Sequence, residues 1–124
     1  MKKLFLFSFL LLSLSVSAQR IDKPGESYDI YCTVIVNNII SPTIYIGEDK
    51  AEYTIMKDND EKVKFVMGNE TITYMTKRGW EFVQFQGSAG HIFRKEVKND
   101  NEAYAHLLLK YAKGANKGQM RANY

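Results

Sequence analysis

The sequence has few of the residues that build disulfides, metal centres and catalytic dyads. It contains one cysteine, Cys32, and two histidines among 124 residues. A lone cysteine cannot form an intramolecular disulfide or a zinc site of several thiolates. The histidines, His91 and His106, lie on different predicted elements and outside any zinc-binding motif. We therefore expect no metal site, no cofactor and no catalytic residues.

An excess of charge of one sign is also missing. The chain has 17 basic and 14 acidic residues, for a formal net charge of +3. Leaving out Lys2 and Lys3, which lie in a segment that we expect to be removed, reduces that +3 to +1. A near-neutral chain gives no electrostatic footprint for nucleic acid or for an anionic membrane surface. We therefore expect no nucleic-acid partner.

Long hydrophobic runs are absent except at the N-terminus, where the sequence has the three regions of a secretory signal peptide. Two lysines come first, an apolar run over 4–12 follows, and small residues end the segment at Ala18. The apolar run is well short of the roughly 20 residues that span a bilayer. We predict that residues 1–18 are a signal peptide, cleaved before Gln19. The mature protein is then periplasmic or secreted and has no transmembrane segment.

Alternation of apolar and polar residues predicts strands over most of the mature chain. The clearest begins at Tyr28 and places Cys32 on an apolar face, with Tyr31 on the other face. Further strands are predicted, with polar or glycine-containing turns between them, at residues 43–46, 52–57, 63–67, 80–85 and 91–97. The 80–85 strand is partly apolar on both faces, which favours a central position in the sheet.

A first helix is predicted for residues 70–78, although the pattern is ambiguous. The threonines of this segment favour a strand. Asn69 as an N-cap and Gly79 as the residue that follows the helix favour a helix instead.

A second helix is predicted for residues 100–113. Asn99 and Glu102 have the spacing of a capping box, and apolar residues then recur at helical spacing until Gly114. Residues 114–124 carry basic residues and no acid, and are predicted to form a flexible basic tail.

These elements predict one α+β domain at residues 19–113. We expect an antiparallel sheet of five or six strands packed by the two helices. Removal of 18 of the 124 residues leaves 106, enough to bury about two-thirds of the unfolded surface without disulfides. Four residues are assigned structural roles: Cys32 as a buried thiol, Gly79 at the helix end, and Trp80 and Phe82 at the junction of helix and sheet.

The run Gly79-Trp80-Glu81-Phe82 resembles a motif of small exported proteins from Bacteroides-type bacteria, in which a helix ends, G-W-E-F follows and a strand begins. His91 to Lys95 is similar to the closing strand of that family. The family's glycine before the basic pair is replaced here by Thr76. The resemblance covers roughly residues 28–97 and implies a helix at 70–78. It implies no activity, because the family is uncharacterised.

Tyrosine is the aromatic residue that the mature chain favours, and it combines an apolar ring with a polar tip. Tyr31 and Tyr45 point away from the apolar faces of their strands. Tyr53 is a third candidate, although it alternates in step with Ile55. Such rings on an open sheet face could stack on sugars or on the apolar part of a partner protein. In the alternative arrangement, a helix covers that face and the tyrosines are second-layer packing.

The sequence therefore predicts a non-enzymatic binding or interaction module of the cell envelope. Its partner would be an envelope glycan or protein, held by Tyr31, Tyr45 and Tyr53. Two alternatives stay open: a small hydrolase-like enzyme and a structural envelope protein.

Overall fold

The computed structural model describes residues 25–36, 41–58 and 61–122, so the predicted signal peptide lies outside the described residues. The strands are β1 (Tyr28–Ile35), β2 (Thr43–Ile46), β3 (Tyr53–Met56), β4 (Glu81–Phe85), β5 (His91–Val97) and β6 (Leu108–Tyr111). They form one six-stranded antiparallel sheet in the order β4-β5-β1-β2-β3-β6. The helix α1 (Gly68–Thr76) and two short 3₁₀ helices, Gly87–Ala89 and Asp100–Tyr104, complete the described elements. The predicted α+β class with its antiparallel sheet is confirmed.

The hydrophobic core lies on one face of this sheet. Cys32 of β1 is opposite Ile46 of β2 and Phe93 of β5, so all three side chains point to the same side. Met75 of α1 and Ala103 of the second 3₁₀ helix close over them. Each of these side chains is almost fully buried. Full burial of a large apolar side chain contributes roughly 1.5–3 kcal/mol, so this face supplies most of the stabilisation.

The end of α1 follows the sequence prediction. Gly79 has a φ of +90°, a conformation that glycine adopts without steric cost. Its N–H donates to the carbonyl of Thr76 at 3.1 Å, and the Trp80 N–H donates to the carbonyl of Met75, also at 3.1 Å. This pair of bonds is a Schellman motif, which turns the chain sharply after a helix. The turn directs the Trp80 side chain into the core.

The start of α1 differs from the prediction. The helix begins at Gly68, with Met67 rather than Asn69 at the N-cap. The Glu70 carboxylate accepts hydrogen bonds from the N–H groups of Met67 at 3.0 Å and Val66 at 3.2 Å. A carboxylate in the first turn therefore satisfies two backbone donors just before the helix.

The predicted helix at residues 100–113 is wrong. Asn99 does accept a hydrogen bond from the N–H of Glu102 at 3.2 Å, but the turn that it caps is a five-residue 3₁₀ helix. The chain then reverses at His106, whose φ is +64°, and residues 108–111 form β6. In β6, Leu109 pairs with β3 and is buried. Tertiary pairing with the sheet has overridden the local helical spacing.

Two strand predictions also need correction. The predicted strand at 63–67 is absent: an isolated bridge joins Lys62 to Met56, and the chain then leaves the sheet to reach α1. The predicted central strand at 80–85 is β4, which lies at an edge of the sheet. Its second apolar face is exposed at Val83 and Phe85, and a register shift follows Phe82. Such irregularities are common on edge strands, where they limit further pairing.

Residues that follow Lys113, predicted to be a flexible tail, fold back along β6 as far as the structure describes them. The N–H of Gly118 donates to the carbonyl of Tyr111, and that of Arg121 to the carbonyl of Leu109, both at 2.8 Å. A bridge also pairs Lys110 with Met120. This segment therefore covers the edge of the sheet that β6 would otherwise expose.

We expect the thiol of Cys32 to react slowly in the native protein. Cys32 is 2% exposed, and burial raises its pKa although a backbone hydrogen bond at Phe93 opposes the shift. A buried, protonated thiol is a poor nucleophile. A thiol reagent should label the unfolded protein fast and the folded protein only as it opens. Cys32→Ser should lower the free energy of unfolding by about 1–3 kcal/mol, because it buries a hydroxyl. Rapid labelling of the native protein would contradict this placement.

Candidate functional site

The sheet face opposite the core carries two of the three predicted binding residues, Tyr31 and Tyr45. Tyr31 pairs in register with Arg94 of β5, and Tyr45 pairs with Thr33 of β1. Tyr31 is 47% exposed, and Tyr45, Thr33 and Arg94 are half-buried. We call these four residues the outer tyrosine face. The core, with α1, lies on the other side of the sheet, so the described helix does not cover this face.

Two carboxylates hold side chains of this face: Glu81 holds Arg94, and Glu52 holds Tyr45. The Arg94 guanidinium donates to both carboxylate oxygens of Glu81, at 3.0 and 3.2 Å. This contact lowers the pKa of Glu81 and raises the pKa of Arg94, with a smaller contribution to the latter from the Tyr31 hydroxyl. The Tyr45 hydroxyl donates to the Glu52 carboxylate, which raises the pKa of Tyr45. The Tyr45 hydroxyl is therefore held by a hydrogen bond, whereas the Tyr31 ring remains half open to solvent.

Tyr53 is not part of this face. It pairs in register with Ile44, points into the core and is 2% exposed. Its hydroxyl donates to Asp49 Oδ2 at 2.6 Å. Its alternation in step with Ile55, visible in the sequence, correctly indicates the buried side. The structure thus separates Tyr53 from Tyr31 and Tyr45.

A polar cluster around Asp49 joins three distant parts of the chain and was not among the predicted sites. Tyr53 and Tyr104 both donate to Asp49 Oδ2, at 2.6 and 2.7 Å, and the Ala51 N–H donates to Oδ1 at 2.9 Å. The guanidinium of Arg121 lies 3.4 Å from the centre of the Tyr104 ring. Asp49 and Tyr104 are 55 residues apart, so no local pattern could have linked them. Both oxygens of the carboxylate are occupied, which is the arrangement of a structural contact.

The Asp49 cluster should make the free energy of unfolding depend on pH in the acid range. Partial burial raises the pKa of Asp49, but hydrogen bonds from Tyr53, the Ala51 N–H and Tyr104 outweigh it, and the net shift is downward. A lowered pKa in the folded state stabilises the protein above the ordinary carboxyl pKa of about 3.9, and this contribution is lost as the pH falls below it. Asp49→Ala should cost roughly 1–3 kcal/mol at pH 7, because two buried hydroxyls lose their acceptor.

Urea unfolding at neutral pH and at a pH well below the ordinary carboxyl pKa tests this expectation. The loss caused by Asp49→Ala should shrink in acid, where the wild-type carboxylate is protonated. Asp29→Ala, on an exposed residue of β1, is the control and should have little effect at either pH. An equal loss for Asp49→Ala at both pH values would show that its charge does not matter.

An open groove of about 1020 Å³ lies between α1 and the extended segment that precedes it. Phe65 and Tyr74 lie in it, with ring centres 5.3 Å apart. Five of its lining residues are basic and two are acidic: Lys57, Lys62, Lys64, Lys77 and Arg78 against Glu61 and Glu70. No local pattern in the sequence marks this basic groove, since it forms only when α1 packs beside the segment that precedes it.

The residues assigned structural roles lie at the junction of α1 and the sheet. Trp80 is buried, and Lys95 Nζ lies 5.7 Å from the centre of its ring. Phe82 is half-buried and packs edge-on against Phe93, with ring centres 5.7 Å apart.

The described residues contain no group of three or more His, Cys, Asp or Glu side chains that could hold a metal ion. Over the same part of the chain, no helix is long and apolar enough to cross a membrane. No family model, curated protein or solved structure matches the chain. The outer tyrosine face and the basic groove are thus the two surfaces from which a function can be inferred.

Proposed function

We propose that this chain is a non-enzymatic binding module of the bacterial cell envelope, with a glycan or protein partner held on the outer tyrosine face. The observation that carries the proposal is the Tyr31 ring, 47% exposed at the middle of a sheet face. Arg94 of β5 pairs with it in register, and Tyr45 of β2, which pairs with Thr33, is a diagonal neighbour on the same face.

The chemistry of this face suits reversible binding. Tyrosine presents a large, rigid apolar surface with a polar tip, and tyrosine and arginine are enriched where binding energy is concentrated. Here Arg94 is held by Glu81 and Tyr45 by Glu52, so these two side chains lose little entropy when a partner binds. A flat face of this kind fits a sugar ring or the apolar side of a peptide.

The alternative of a small hydrolase-like enzyme has less support. An enzyme of this kind needs a nucleophile or a pair of titratable groups free to meet a substrate. The thiol of Cys32 is buried among apolar side chains, and the carboxylate of Asp49 already accepts three hydrogen bonds. These contacts favour packing roles for both residues.

Export is part of the same proposal. It is supported by the charged, apolar and small-residue regions at the start of the chain. The motif at residues 79–82 resembles one of exported proteins from Bacteroides-type bacteria, which is consistent with export. We expect mass spectrometry of protein purified from its native cells to find an N-terminus at Gln19. A mature chain that begins at Met1 would contradict export with cleavage.

The binding proposal is tested with variants at the two rings. Tyr31→Ser and the double variant Tyr31→Ser/Tyr45→Ser should fold, because neither ring is in the core, and should lose capture of envelope polysaccharide or of a purified envelope protein. Tyr31→Phe is the matched control: it keeps the ring and should retain binding. Unfolding of the single variant would place Tyr31 in the core. A folded double variant that keeps every wild-type partner would refute binding on the outer tyrosine face.

A further inference from the structure

We infer that the basic groove binds a linear anionic glycan that carries carboxylate or sulfate groups. This site is separate from the outer tyrosine face and is made of other residues. The inference rests on the proposed function only in placing the ligand outside the cytoplasm.

The groove is more basic than the rest of the chain. The mature chain is close to neutral overall, but the residues that line the groove include five basic and two acidic side chains. Both acids have partners. The Glu61 carboxylate lies 3.9 Å from Lys57 Nζ, and the Glu70 carboxylate accepts the N–H groups of Val66 and Met67. The groove therefore has a local excess of positive charge that its own acids do not balance.

Three of the groove's basic side chains are available to a ligand. Arg78 is held in place, since it donates to the carbonyl of Tyr74 at 2.9 Å and stacks on that residue's ring at 3.4 Å. Lys62, Lys64 and Lys77 are exposed, and none has an ion-pair partner among the described residues. Lys62 and Lys64 lie on one wall and Lys77 on the other. Three cations are thus free to meet anionic groups spaced along one ligand.

The shape of the site favours a glycan chain over a lipid surface. The site is a groove with two walls, whereas a membrane surface is met by a flat or convex patch. Phe65 and Tyr74 supply an apolar surface between the cationic walls. An anionic sugar chain offers both features, because the flat faces of its rings are apolar and its carboxylate or sulfate groups project to the sides.

Binding by the mature protein can be measured by calorimetry with defined probes. Oligosaccharides of polygalacturonate and of chondroitin sulfate should bind, and a neutral dextran of equal length should not. Raising the salt from about 0.05 to about 0.3 M should weaken binding strongly, because salt screens contacts between exposed charges. Vesicles that contain phosphatidylglycerol serve as the membrane probe, and single-stranded DNA tests a general preference for polyanions.

Paired variants locate the site. Lys62→Gln/Lys64→Gln/Lys77→Gln should weaken anionic glycan binding by about tenfold or more, by analogy with the loss of several phosphate contacts at high salt. Lys50→Gln/Lys98→Gln/Lys117→Gln removes the same charge from exposed positions outside the groove and should change binding by about twofold or less. The lysine variants leave Tyr31 and Tyr45 unchanged, and the tyrosine variants leave the groove lysines unchanged, so failure of the outer tyrosine face and failure of the groove are distinguishable.

Four results would overturn the inference. These are equal losses in the two lysine variants, binding of dextran at the same affinity, tighter binding to vesicles than to glycan, and tighter binding to DNA than to glycan. A groove variant that loses binding and keeps the wild-type circular dichroism spectrum supports the inference.

Discussion

Trp80→Ala should leave the protein largely unfolded or insoluble. Trp80 is 2% exposed and lies in the core just after the helix-ending turn at Gly79. Truncation of a buried tryptophan to alanine costs roughly 3–5 kcal/mol. The total stability of a domain is only about 5–15 kcal/mol, so most of it would be lost. Circular dichroism and urea unfolding of purified protein measure the effect.

Trp80→Phe is the matched control for this variant. The indole N–H of Trp80 has no hydrogen-bond partner among the described residues. Replacement by phenylalanine therefore removes volume and leaves no acceptor without its donor. This variant should fold, with a smaller loss of stability than Trp80→Ala. A stable, well-folded Trp80→Ala protein that had lost only a binding activity would reverse the structural assignment.

Gly90→Ala should destabilise the protein by several kcal/mol. Gly90 has φ +93° and ψ −166°, a combination that is essentially restricted to glycine and costs other residues of order 1–3 kcal/mol. A Cβ at this position would also collide with the backbone carbonyl of Val34 and lie 3.0 Å from Ile35 Cγ1. Val34 is in β1, a central strand, so the clash is with backbone that cannot move without breaking the sheet.

Gly87→Ala in the same loop separates strain from collision. Gly87 also has a positive φ, +57°, but a Cβ there would have no atom within 4 Å. It should therefore cost only the strain of left-handed backbone, about 1–2 kcal/mol. Urea midpoints of the two variants give the comparison. Equal losses at Gly87 and Gly90 would mean that the close approach to β1 is not important.

The strands that the sequence predicted well are those whose alternation matches their burial. β1, β2 and β5 each place alternating side chains in the core. The end of α1 was also predictable, because a glycine commonly follows the last residue of a helix, and Gly79 has the positive φ of that position.

The secondary structure of the C-terminal part of the domain could not be predicted from the local sequence pattern. Apolar residues repeat every four positions here, as in a helix, at Ala103, Leu107 and Tyr111. Leu107 and Leu109 are also separated by two positions, as in a strand. The structure buries both leucines, and β6 pairs with β3. β3 lies more than fifty residues earlier, so the choice depends on tertiary pairing. The edge position of β4 is likewise a property of sheet order.

The candidate surfaces were predicted in part. Alternation placed Tyr31 and Tyr45 on the polar faces of their strands, and the structure puts them on one sheet face. The basic groove could not be predicted, because it joins Lys62 and Lys64 to Lys77 only once α1 has packed beside the segment before it. Each lysine alone is an ordinary exposed charge.

The most direct test of the binding-module account is a titration of ¹⁵N-labelled mature protein with purified envelope polysaccharide, followed by NMR spectra of protein and ligand. The account predicts saturable shifts of amides around Tyr31 and Tyr45, while the ligand spectrum stays that of intact polysaccharide. Conversion of the ligand to new products would identify an enzyme. Unchanged amides on the outer tyrosine face at saturating ligand would contradict the account.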